Sequence, residues 1–347
     1  MMKWWSEVKS NPINQRRWQQ FRANKRGYYS LWIFVFLFGL SLFAEVIAND
    51  KPVLVYYQQQ LFMPIISDHP ETTYGGDFDT WTDFSDPYIQ QQINQDGWMV
   101  WPLIPFSYDS INYALTEPAP SQPDNVNWLG TDDQGRDVVA RLIYGFRISV
   151  LFALVLTLSS SVIGITAGAI QGYYGGWVDL LGQRFIEIWE GLPMLFMLII
   201  LASVVQPNFW WLLGLMLLFS WSSLVSVVRA EFLRGRNLEY IKAAKALGVK
   251  DRVIMSKHIL PNAMIATMTF MPYVFTGALT TLTALDFLGF GLPPGSASLG
   301  EMVAQGKANL QAPWLGITAF VSLSTILVLL VFIGEAARDA FDPRKAL

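Results

Sequence analysis

Cysteine is absent, histidine occurs twice, and charged residues make up only 15% of the 347-residue chain. Without cysteine there is no disulfide, no thiolate nucleophile and no Cys-ligated zinc. His69 and His258 lie far apart in sequence, so a metalloenzyme would have to rely on carboxylates. The lack of cysteine names no compartment, because oxidising and reducing environments both tolerate it. A basic excess is missing as well: 24 Lys and Arg against 27 Asp and Glu give a net charge of -3. That excludes the cationic surface a nucleic acid needs. No HExxH and no Ser, His and Asp set is visible, so the chain reads as a non-enzyme with no metal and no cofactor. What replaces charge is apolar: 52% of residues are hydrophobic and 14% aromatic. Soluble domains carry about 25% charged residues, so this is the composition of a membrane protein.

A helix crosses the hydrocarbon core with about 20 apolar residues, and six stretches qualify. They are Tyr28 to Ala48, Ile148 to Ile170, Gly191 to Val205, Phe209 to Val228, Ala263 to Leu285 and Ala312 to Gly334. The third is short and reaches spanning length only if its helix starts near Phe185 and takes in Glu187 and Glu190; the link Gln206, Pro207, Asn208 makes it one arm of a hairpin. The first exceeds a signal-peptide core and no small-x-small cleavage site follows, so it reads as a retained anchor. Placing the N-terminus inside leaves nineteen of the 24 Lys and Arg cytoplasmic. The second span reads locally the wrong way, because Arg136, Arg141 and Arg147 crowd its outer end.

The expected fold is therefore all-α and polytopic, with six spans, both termini inside and an extracytoplasmic insert after the first span. Residues 1–27 form a basic interfacial segment, 28–48 the anchor, 49–147 the insert, 148–334 a five-span core and 335–347 a cytoplasmic tail. Asn11 and Pro12 suit a helix start. Arg16, Arg17, Trp18, Phe21, Arg22, Lys25 and Arg26 mix cations with aromatics, which fits a helix lying on membrane lipid; a disordered basic leader is the alternative. The insert carries 14 acids, and its aromatics, Tyr56, Tyr57, Phe62, Trp81, Trp98, Trp101 and Phe106 among them, can bury a small core. It reads equally as a docking surface or as a packed cap. Gly164, Gly168, Gly172 and Gly176 recur every fourth residue, which puts bare backbone on one helix face. Pro193 and Pro272 lie within spans and can kink or unwind them.

The most informative stretch is RAEFLRGRNLEYIKAAKALGVKDRVIMSKHILPN, residues 229–262. A helix over Leu238 to Leu247, ended by Gly248, would place Ile241, Ala244 and Leu247 on one side and Lys242 and Lys245 on the other. Its alanines leave a small surface, suited to a cleft in another protein. This stretch resembles the cytoplasmic loop of the permease subunits of binding-protein-dependent ABC importers, which carries EAAxxxG, nine residues and IxLP. Here Lys242, Ala243, Ala244 and Gly248 are followed in register by His258, Leu260 and Pro261. Lys242 stands in the Glu place and His258 in the Ile place; HILPN is typical of the peptide and nickel subgroup. LGTDDQGRDVVARLIYGFRIS, LDFLGFGLPPGSASLGEMV and EAARDAFDPR are similar to further signatures of the C-type dipeptide and oligopeptide permeases, so the likeness covers 129–344. The insert and GQRFIEIWEGLP look most like the Yej-type branch, associated with oligopeptide and microcin C uptake.

The resemblance implies a type I importer permease fold in the bacterial inner membrane. It implies a second permease as heterodimer partner, ABC ATPase subunits docked on the loop helix, and an extracytoplasmic peptide-binding protein that delivers cargo. Tyr240, Lys242, Ala243, Ala244, Leu247, Gly248, His258, Leu260 and Pro261 would form the ATPase-coupling segment. The chain has no phosphate loop of its own: Gly306 and Lys307 are adjacent, but Glu301 takes the first Gly place and Ala308 the Ser or Thr place.

Several side chains have competing readings. Glu187 and Glu190 would be the relay of a proton-coupled secondary transporter, or charges paired at the interface near Arg184. Together with Pro193, Pro272 and Asp286 they are the candidates for the pathway or its gates. Glu45 and Asp286 sit at outer span ends, where solvation is the simplest account. His258 is a pH switch or a packed interfacial residue. Asp132, Asp133 and Asp137 with Arg136 form a cation site or a salt-bridged turn, and calcium's need for six or more oxygens favours the turn.

Overall fold

The structure, a computed structural model, describes residues 12–204 and 208–341. The expected cap at Asn11, the link residues Gln206 and Pro207, and the tail beyond Phe341 lie outside the described residues. The chain opens with α1 (Pro12–Ala23) and α2 (Lys25–Leu42), the second capped by the Asn24 side chain, which accepts the Gly27 N–H at 3.3 Å. A turn at Phe43 leads into the short α3 (Ala44–Ile47). The insert then supplies β1 (Leu54–Tyr57), β2 (Gln60–Phe62), α4 (Pro87–Asp96) and β3 (Gly97–Val100). The core follows with α5 (Val138–Tyr174), α6 (Gly176–Glu190), α7 (Met194–Val204), α8 (Phe209–Ser220) and α9 (Val225–Gly235). Next come α10 (Glu239–Ala246), α11 (Asp251–Val253), a π-helical turn (Ile254–Ile259), α12 (Leu260–Phe287), α13 (Leu299–Ala308) and α14 (Pro313–Phe341).

Among the described residues four helical runs are long and apolar enough to cross a membrane: Val138–Tyr174, Phe209–Gly235, Asp251–Phe287 and Pro313–Phe341. The α6 and α7 pair adds a fifth if taken as one span bent by 71°. The helix of the third stretch does take in Phe185, Glu187 and Glu190, but it is broken at Pro193, one of the two prolines that can kink or unwind a span. Pro193 disfavours helical backbone at the residue before it and donates no N–H, so the helix stops at Glu190 and restarts at Met194. Pro272, in contrast, sits inside an uninterrupted α12. The first stretch falls short as a single helix. It opens on Lys25 and Arg26, and Tyr28 to Leu42 spans only about 22 Å of the roughly 30 Å of hydrocarbon before Phe43 breaks it.

The insert corrects the all-α expectation. β1 pairs antiparallel with β2 and β3, giving the order β2-β1-β3. The β1–β2 connection has Gln58 and Gln59 both at positive φ, the backbone of a tight hairpin that Asn-Gly would advertise and Gln-Gln does not. Val55, Tyr57, Tyr74, Phe84, Ile89 and Ile93 form its core. Burial pushes the Tyr74 hydroxyl up to about 12. Trp81 and Trp98 face outward instead, Trp98 stacked on Tyr56 at 5.7 Å. The boundary with the core also moves: α5 begins at Val138, not near Ile148, because the Asp137 side chain caps it by accepting the Ala140 N–H at 2.8 Å.

The core is centred on α5. Phe152 and Leu156 from α5 meet Leu198 of α7, Leu212 and Met216 of α8, Leu279 and Leu282 of α12 and Leu330 of α14 in one buried cluster. The glycine face works as its spacing predicts, up to a point. A Cβ placed on Gly164, Gly168 or Gly172 would lie 2.4, 2.7 or 2.6 Å from the carbonyl oxygens of Trp221, Val225 and Arg229. The neighbour is therefore also met every fourth residue, in parallel. Gly176 drops out of this face. Tyr174 ends the helix, Gly175 turns the chain, and Gly176 has nothing within 4 Å but a φ of +54°.

Gly168→Leu forces the two backbones apart and is expected to cost ~1–3 kcal/mol. The variant should melt at a lower temperature in detergent by tryptophan fluorescence, whereas Gly39→Leu, at a site with nothing within 4 Å, should not.

Candidate functional site

The loop helix forms where the sequence places it. Leu238 is the N-cap and Leu247 the C-cap of α10, and Gly248 adopts φ +79°. The Gly248 N–H donates to the Lys245 carbonyl at 3.0 Å and the Val249 N–H to the Ala244 carbonyl at 3.1 Å. These paired reverse bonds satisfy two orphan carbonyls and need a left-handed residue between them. Ile241 is fully buried against Tyr173, Val228, Phe232, Ile254, Ile259 and Ala263, and Ala244 and Leu260 pack onto the same cluster. Leu247 departs from the expected face: it sits past the last helical turn and is 84% exposed.

The opposite side of α10 is open. Lys242, Ala243 and Lys245 are exposed, with Lys242 held to Glu239 at 3.1 Å. Around Tyr173 the seat is polar: its hydroxyl donates to Asp251 Oδ1 at 2.5 Å, its carbonyl accepts from Arg236 at 3.3 Å, and Lys245 Nζ lies 6.0 Å from its ring. The Tyr240 hydroxyl accepts from Asn262 Nδ2 at 3.5 Å, which ties the helix to the residue after the Leu260–Pro261 pair. His258 is half-buried in the π turn, where the Leu260 N–H reaches back five residues to Met255. Pro261 follows at once; it has no N–H to offer an α-helical ladder, so the wider turn gives up little there.

At the other end of α5 lies a cluster that the sequence shows only in part. Arg136 pairs with Asp132 at 2.6 Å, and Arg141 pairs with Glu301 of α13 at 2.9 Å and lies 3.4 Å from Asp132. Arg141 is completely buried. Asp132 does sit in a salt-bridged turn, with Arg136 and Arg141 both on its carboxylate. Asp137 is spent on its cap and on Asn127, whose side chain donates at 2.9 Å; burial still pushes its carboxyl above the ordinary range. Glu301 lies 160 residues from Arg141, and in sequence its place shows only as the wrong residue for the first Gly of a phosphate loop. Arg147 is matched too, by Glu45 at 2.8 Å, so Glu45 is ion-paired rather than simply solvated. The three arginines that crowd the outer span end are thus all paired.

Asp286 is likewise not solvated. It is 8% exposed, and it accepts the Ser298 hydroxyl at 2.5 Å and the Leu292 N–H at 2.8 Å, closing the loop between α12 and α13. Glu187 pairs with Arg184 on the surface of α6, and Glu190 is exposed at its end. Neither is brought together with Pro272 or Asp286, which lie on α12.

The family described as the binding-protein-dependent transport system inner membrane component matches residues 160–347, and the N-terminal TM domain of oligopeptide transport permease C matches residues 13–74. The chain belongs to the permease subunits of ABC transporters. It is 61% identical over 337 residues to the inner membrane ABC transporter permease protein YejE of Escherichia coli K12, covering 97% of this chain and 99% of that one. It is 56% identical over 359 residues to the peptidoglycan transport system permease protein YejE of Agrobacterium fabrum, covering 96% and 94%. The oligopeptide transport system permease protein OppC of Lactococcus lactis IL1403 is 34% identical over 226 residues, covering 64% and 77%. The permease is therefore a multi-pass inner-membrane component and no enzyme itself. Its family works alongside a second permease, an ATPase and a binding protein. The proton-coupled alternative built on Glu187 and Glu190 has no support.

Arg141→Met removes the shorter of the two ion pairs on Glu301, leaving it only Arg136 at 3.4 Å, and takes one arginine from Asp132, which is expected to cost about 3 kcal/mol. In detergent melting, the Arg141→Met/Glu301→Met double variant should recover part of the loss that Arg141→Met alone produces.

Proposed function

We propose that this permease forms half of the translocation pathway of a peptide importer, for oligopeptides or peptide-like compounds of the microcin C type, and couples to ATPase subunits through α10. The names of the relatives, oligopeptide and peptidoglycan transport permeases, support the cargo class. The single observation that carries the coupling is α10 itself. One side is fixed by Ile241 in the α5–α9 cluster, and the other presents Lys242, Ala243 and Leu247 to solvent. A helix seated in this way moves with α5 and α9 when something grips its free side. ATP-driven closure of the ATPase pair would then rock the spans between inward-open and outward-open states, through differential affinity for the two.

In this reading α2, continued through α3, is the first of six spans, and α6 with α7 is the bent third. Both termini are inside, the architecture is that of a type I importer, and a distinct second permease completes a heterodimer. The exposed apolar residues of α6, Trp177, Leu181, Phe185 and Ile188, recur at helical spacing and suit that partner. The insert faces the side from which a peptide-binding protein delivers cargo. Pro193, at the bend, is the pathway candidate that the geometry favours most, with Glu187 and Glu190 on the arm before it.

Gly248→Val forces a β-branched residue into φ +79°, at a cost of at least ~1 kcal/mol, and misplaces the exposed side of α10. A Cβ at Gly248 would meet nothing within 4 Å, so the damage stays in the backbone of the cap. The variant should insert and assemble while transport and cargo-stimulated ATP hydrolysis fall; wild-type transport by this variant would sink the coupling proposal.

A further inference from the structure

Two cavities meet at the end of α14 that carries Phe341. The first, about 560 Å³, lies between α9, the start of α10, α12 and α14, and is lined by Arg17, Arg234, Arg338, Tyr240 and Asn262 among others. Glu231 also lines it and holds Arg234 at 3.8 Å. Arg17 and Arg338 have no carboxylate partner among the described residues, and Arg17 instead lies over the Phe341 ring at 4.9 Å. The second cavity, about 520 Å³, is an apolar slot lined by Phe21, Leu31, Met264, Met268 and Ile333. Arg17, Ile265 and Phe341 line both, so the cationic chamber and the slot adjoin.

We propose that this joined cavity is a binding site for one anionic phospholipid, its phosphate held by Arg17 and Arg338 and an acyl chain laid in the Met264–Met268 slot. Cationic groups alone would fit any phosphate, and an apolar slot alone would fit any hydrocarbon. The two together, at the level where α1 mixes cations with aromatics, fit a molecule that has both. Excess positive charge selects an anionic lipid over a zwitterionic one. The headgroup would lie beside Tyr240 and Leu238, directly under the start of the coupling helix. The proposal rests on the membrane placement given above, with α1 on the inner face.

The test is native mass spectrometry of the intact transporter complex, purified gently and exchanged into mixed micelles of phosphatidylglycerol and phosphatidylcholine. The wild-type complex should retain phosphatidylglycerol in preference. Arg17→Gln and Arg338→Gln should each lower that retention about fivefold, the equivalent of ~1 kcal/mol per cation, with phosphatidylcholine unchanged. Met268→Trp fills the slot without touching charge and should also lower it, and inorganic phosphate should not compete. Unchanged retention in both arginine variants overturns the site. Displacement by phosphate, with Met268→Trp silent, makes it an anion pocket and overturns the lipid. Preferential retention that emerges only after removal of the tail beyond Phe341 assigns the cavity to that tail and overturns the proposal as well. The same spectra report whether each variant complex is assembled. Retention reads the site whichever way the chain is inserted; accessibility of an N-terminal tag in sealed vesicles reads the orientation separately.

Discussion

The close contact between α5 and α9 is the constraint on which the rest of the molecule depends. Gly168 and Gly172 of α5 let its backbone lie against carbonyl oxygens of Val225 and Arg229 in α9, and Gly164 against that of Trp221 in the turn before α9, at a distance that no side chain permits. With the α5–α9 pair fixed, the C-terminal end of α5 and the end of α9 form one surface. Tyr173 and Phe232 are its floor, and α10 rests on it through Ile241. The N-terminal end of α5 is fixed by ions rather than by backbone, through Asp132, Arg136, Arg141 and Glu301. One helix of 37 residues thus carries the seat of α10 at one end and the lock on α13 at the other.

This arrangement explains why the free side of α10 is so plain. Alanine and lysine bury little, and the stability of an eight-residue helix cannot come from its own hydrogen bonds. It comes from Ile241 beneath and from the left-handed cap at Gly248. The exposed side is left to shape, which is what a reversible contact with a moving partner needs.

Much of this was legible in the sequence. The loop helix α10 and its stop at Gly248 follow from local chemistry, and the glycine face follows from its period. What failed did so for identifiable reasons. Gly176 continues the period but not the helix, because Gly175 intervenes. Leu247 continues the apolar spacing but falls on the cap, where helical geometry no longer applies. Of the two prolines that can kink or unwind a span, Pro193 divides the third, whereas Pro272 leaves α12 unbroken. The hairpin in the insert is closed by two glutamines, residues with no signature for the backbone they adopt here. Above all, Glu301 and Arg141 are partners 160 residues apart, and no local pattern announces such a pair.

That separation bears on how the chain is made. Arg147 finds Glu45 in a segment already synthesised when α5 emerges. Arg141 does not find its own carboxylate until α13 has been translated; until then Asp132 is shared between two arginines. Burying Arg141 before that point would leave it only the longer contact to an Asp132 already paired with Arg136. The full set of ion pairs at this end of α5 is therefore available only once residue 301 has been made.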